Sequence, residues 1–62
     1  MSESLMVADV TIWLYSKYEP IVYQNVLPYH EAEFYCMRHF ADGSILKIPN
    51  RLIEQIKEDW HE

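Results

Sequence analysis

The chain has 62 residues, half of them hydrophobic, with two Trp, five Tyr and two Phe. So apolar a composition excludes a disordered segment, while a domain this short buries only about 60% of the surface its unfolded chain exposes. Ten acidic against five basic residues give a net charge of −5, which disfavours direct nucleic-acid binding, because a phosphate backbone needs clustered Lys and Arg.

Residues 1–5 read as a frayed terminus of a single small domain spanning 1–62. From Met6 the chain alternates: Met6, Ala8, Val10, Ile12 and Leu14 share one face, and Val7, Asp9, Thr11, Trp13 and Tyr15 the other. Period two is the mark of a half-buried strand. A helix over 4–18 is the rival, and it would have to carry Val10, Thr11, Ile12, Trp13 and Tyr15, none of them strong helix formers. Ser16 to Pro20 reads as a turn, and Ile21–Leu27 as a second strand, short or at an edge. Residues 28–33 then form a connection with room for one helical turn.

Strands three and four, Phe34–Phe40 and Ile45–Ile48, flank Asp42-Gly43, which contains the only glycine. Asp-Gly between apolar runs is a strong hairpin signal. A two-residue loop would set Arg38 opposite Lys47, an unfavourable like-charge pair. A three-residue loop with Gly43 left-handed in a bulge pairs Phe40 with Ser44 and Arg38 with Leu46, and is preferred. It puts Phe34, Cys36, Phe40, Leu46 and Ile48 on the inner face, and Tyr35, Met37, His39, Ile45 and Lys47 outside.

Pro49 closes the fourth strand and Asn50 offers a helix N-cap. Leu52, Ile53, Ile56 and Trp60 recur at helical spacing, with charged residues between them. The expected fold is therefore α+β: a four-stranded antiparallel meander with one C-terminal helix packed on one face (ββββα). Glu58, Asp59 and Glu62 would then crowd the negative end of that helix, where cations are the stabilising charges.

The chemistry is sparse. Cys36 and His39 are three apart on a strand and point to opposite faces, and no pair of ligands has zinc-site spacing. One glycine cannot build a phosphate-binding loop. Neither enzymatic activity nor a metal or other cofactor is expected. A lone cysteine, an acidic start without a basic leader, and the lack of a long apolar run point to a cytoplasmic protein and away from a membrane.

The outer sheet face, carrying Trp13, Tyr15, Tyr35, Met37 and Ile45, is too apolar to sit in water unaided. The expected function is a small acidic, non-catalytic protein-binding or regulatory module, acting through a sheet face or an edge strand and forming a homodimer. The alternative is an acidic inhibitor in which Glu54, Glu58 and Asp59 imitate nucleic acid at the basic site of a partner protein.

Overall fold

A computed structural model describes residues 6–62, so the expected frayed terminus at 1–5 lies outside the described residues. Five antiparallel strands form one sheet: β1 (Val7–Leu14), β2 (Ile21–Glu31), β3 (Phe34–His39), β4 (Ile45–Pro49) and β5 (Ile53–His61). Their order across the sheet is β4-β3-β2-β1-β5. The first strand follows the alternation of its sequence: Ala8, Val10 and Ile12 are buried, and Leu14 packs against them. With Val26, Tyr35 and Met37 they form the core. Burying a side chain of this size contributes roughly 1.5–3 kcal/mol, so few residues carry the stability of the domain.

The expected C-terminal helix does not form, and the fold is all-β rather than α+β; the described residues contain only a 3-10 turn, Asn50–Leu52. Residues 53–61 pair with β1 instead. Between Trp13↔Gln55 and Leu14↔Ile53, β1 advances one residue and β5 two. Glu54 is thus the extra residue of a β-bulge, which turns Ile53 and Ile56 to the same side although they are three apart. A bulged strand has reproduced the spacing of a helix. Beyond it the ordinary period returns, and Ile56, Glu58 and Trp60 share one face. Without a helix, the acidic residues near the chain end oppose no helix dipole.

Two further expectations are corrected. The 28–33 connection is mostly strand, since β2 runs on to Glu31 and a two-residue loop, Ala32-Glu33, leads into β3. Pro28 is tolerated because β1 pairs with β2 only as far as Val26, so among the described residues the second half of β2 has β3 as its one neighbour. A proline without an N–H fits such an edge. The β3–β4 hairpin is also shifted. Arg38 pairs with Ile45, Met37 with Leu46 and Tyr35 with Ile48, and the His39 N–H bonds to the Ser44 carbonyl. The loop therefore has four residues, Phe40–Gly43, and Gly43 is its left-handed residue at φ 75°. The shift keeps Arg38 from Lys47 but reverses the faces of β3. Tyr35 and Met37 are core, whereas Phe34 and Phe40 are exposed.

The sheet is rolled, and β2 bends to roll it. Between Val10↔Tyr23 and Ala8↔Val26, β2 gains one residue on β1, and Asn25 takes a left-handed φ of 56°. Val26 then pairs with both Ala8 and His39, where β2 passes from one partner strand to the other. The Asn25 N–H donates to Asp9 Oδ1 at 3.1 Å, and its carbonyl accepts from the Phe40 N–H at 3.0 Å. Rolling is what lets a three-residue turn join β4 to β5. Across a flat sheet these strands would be about 19 Å apart, and three residues span about 10 Å. The Asn50 N–H bonds to the Glu33 carbonyl and the Tyr15 N–H to the Leu52 carbonyl, tying the turn to both sides.

Positive φ favours Gly, and Asn among the others, and strains a β-branched residue. Asn25→Val should destabilise the domain by about 1–3 kcal/mol. Ala32 also has a positive φ, 54°, at the loop position where a primed turn favours glycine. Ala32→Gly should therefore raise stability by about 1 kcal/mol. Urea unfolding of both variants measures the two effects.

Candidate functional site

Among the described residues the rolled sheet stays open between its two edge strands, β4 and β5. Across its interior, Tyr35 Oη on β3 donates a hydrogen bond to Glu58 Oε2 on β5 at 2.5 Å. In a flat sheet these strands would lie about 14 Å apart. Tyr35 is 1% exposed, and its register partners His30 and Ile48 flank it on the same face. The His30 ring meets it edge-on, 5.3 Å between centroids. Burial first, then the hydrogen bond and charge of Glu58, push the phenol above its ordinary value of 10.0. The other Glu58 oxygen accepts from Trp60 Nε1 at 3.2 Å. Glu58 itself is exposed, so this carboxylate stands at the rim of the roll.

Of the residues singled out from sequence, Tyr35 and Met37 belong to the core and Glu58 is committed to Tyr35 and Trp60. Trp13 is half-buried on the outer face of β1, opposite Gln55. Tyr15 is 70% exposed just past the end of β1. Glu54 is exposed in the bulge, and Asp59 is exposed opposite Asp9. Ile45 is exposed at the hairpin end of β4. The structure brings Tyr35 and Glu58 together. It does not assemble Trp13, Tyr15 and Ile45 into a patch, since the first two lie near the start of β5 and Ile45 beside the hairpin loop. The acidic residues do not form one surface either: Glu31 pairs with Lys47 Nζ, and Glu58 faces the roll. The helix that was to carry Glu54, Glu58 and Asp59 is absent, and Glu58 and Asp59 point to opposite faces of β5.

Sequence reasoning missed the two sheet edges. β4 is short and apolar; Ile45 is 51% and Leu46 41% exposed. Because the His39 N–H donates to the Ser44 carbonyl and the Asn50 N–H to the Glu33 carbonyl, Met37–Leu46 and Tyr35–Ile48 are the hydrogen-bonded pairs between them, and Ile45 and Lys47 turn their N–H and C=O outward. Pro49 ends the strand with no N–H to offer. The single charge on β4, Lys47, is tied back to Glu31, which raises its ammonium pKa. The β5 edge is different, with Glu54, Lys57, Glu58 and Asp59 along its length. Charges of this kind are how natural sheets keep an edge from pairing. The signal was present in the sequence as the contrast between Ile45-Leu46-Lys47-Ile48 and the charged run after Ile53.

Other chemistry stays dispersed. Cys36 is a buried free thiol, flanked in register by Tyr29 and Lys47, and His39 lies on the opposite face of β3. Desolvation, and then the neighbouring Cys36 and Glu31, raise the Tyr29 phenol. Among the described residues no three His, Cys, Asp or Glu side chains stand close enough to hold a metal ion, and no helix is long and apolar enough to cross a membrane. No known protein family, curated protein or solved structure matches the chain.

The Tyr35–Glu58 bond is the polar tie of the interior. Tyr35→Phe should lower stability by about 1 kcal/mol, below the usual contribution of a bond to a charged group because water can reach Glu58. In a Glu58→Ala background the same change should have little effect, as a double-mutant cycle by urea unfolding would reveal.

Proposed function

We propose that this protein is a small, non-catalytic protein-binding module that associates through the β4 edge, and that its first partner is a second copy of itself. The observation that carries this reading is the contrast between the edges: β5 is guarded by charges, and β4 offers outward backbone groups at Ile45 and Lys47 between half-exposed apolar side chains. Antiparallel pairing about a two-fold axis suits a strand this short, because each copy presents the same two residues to the other. Pro49 limits the added ladder to the Ile45–Ile48 stretch and so sets its register. The free, buried Cys36 suits a reducing compartment such as the cytoplasm.

Sedimentation over a concentration series reads the association directly, with a dimer expected at high micromolar concentration. Lys47→Pro removes an outward N–H without breaking a β3–β4 bond, and should weaken self-association at least about tenfold, since the lost bond counts once for each copy. Lys47→Gln keeps that N–H and should preserve the dimer. A strict monomer at high micromolar concentration, or a dimer indifferent to Lys47→Pro, would overturn the proposal.

A further inference from the structure

Both ring nitrogens of His61 face groups that can only accept. Nε2 lies 3.0 Å from Asp9 Oδ1, and Nδ1 lies 3.2 Å from the main-chain oxygen of Glu62. A neutral imidazole has one N–H and satisfies one of them; only the imidazolium donates to both. The same Asp9 oxygen holds the Asn25 N–H, so the interaction reaches from β5 through β1 to the bulge of β2. Asp59 is the direct cross-strand partner of Asp9. Two carboxylates so placed repel unless a cation stands beside them.

The charged groups around this ring come from every neighbouring element. β1 contributes Asp9, and β5 contributes Asp59 and, one step further along the same face, Lys57. Glu62 follows in the chain. Asn25 on β2 is neutral. The hairpin contributes His39, whose Nδ1 lies 3.8 Å from Asp42. His39 and Glu62 also line an open depression of about 310 Å³, with Val7, Asn25 and Phe40.

We propose that His61 is a pH-operated latch: its imidazolium, held between Asp9 and the main-chain oxygen of Glu62, pins the end of β5 to β1 and braces the Asn25 bulge. Loss of the proton releases Trp60–Glu62 and widens the depression beside Val7. The hydrogen bond to Asp9, then that to Glu62, raises the His61 pKa above its ordinary 6.5. The same bond, with the one from Asn25, lowers Asp9 below 3.8. A raised histidine contributes stability that is complete below pH 6.5 and lost as pH rises through its folded pKa. A lowered aspartate contributes stability that is complete above pH 3.8 and lost as pH falls through its own. The latch is therefore fully engaged between these two values and opens on the alkaline side.

Residue-resolved NMR titration of the full chain from about pH 5 to 9 tests this. The His61 ring should titrate above 6.5, and the Asn25 amide should shift with the same midpoint. Asp9→Asn should lower the His61 midpoint and uncouple the Asn25 amide. The fall in thermal midpoint across the same pH range should be smaller in His61→Gln than in the natural chain. A His61 ring titrating at or below 6.5, or an Asn25 amide that ignores it, would overturn the latch, and the natural chain alone decides both.

Discussion

The fold depends on the bend in β2. A strand that paired with one neighbour along its whole length would leave the sheet flat, and neither the three-residue turn to β5 nor the reach of Tyr35 to Glu58 would then be possible. Asn25 makes the bend by taking a left-handed conformation where β2 changes partners. Both of its backbone groups are used, the N–H by Asp9 and the carbonyl by the Phe40 N–H. One residue thereby fixes the positions of three strands and of the hairpin loop. The strain of its φ persists because these bonds over-determine it.

How much of this could be read from the residues varies with how each strand is buried. β1 lies between two neighbours with one face in the core, so its alternation was plain from Met6 to Leu14. β5 hid behind its own bulge. One extra residue at Glu54 converted a two-residue period into the three-residue spacing of Ile53 and Ile56, and the surrounding Glu, Gln and Lys are good helix formers. The same charges suit an exposed edge strand, and the run Ile56-Lys57-Glu58-Asp59-Trp60 does alternate once the bulge is allowed for. Pro28 read as a break because the loss of its second neighbour depends on where β1 begins, which is a tertiary fact. The hairpin shows how much one loop residue changes. The turn was located correctly at Asp42-Gly43, but a loop of four residues exchanged the faces of β3 and moved Tyr35 and Met37 from the supposed binding surface into the core.

The candidate site was therefore legible in kind and not in place. Apolar residues in excess of what the core can hide were evident, and the structure leaves Ile45 and Leu46 on the β4 edge among them. The edge itself could not be seen, because which strand ends the sheet follows from β5 crossing to β1. The two edges thus have opposite characters. One is charged along its length, and the other keeps its only ammonium folded back onto Glu31.

The pairing of β1 with β5 joins the first described strand to the last. Nearly the whole chain must be in place before Ala8, Val10 and Ile12 are flanked on both sides, so the contacts that complete the core are among the most distant in sequence. Such a topology folds slowly for its size, because the entropy of closing a long loop is lost before the contacts form. During synthesis the meander of β1 to β4 would emerge with one side of β1 bare. An extended segment able to occupy that side would compete with β5 for it, so the order in which strands become available bears on whether the chain closes on itself.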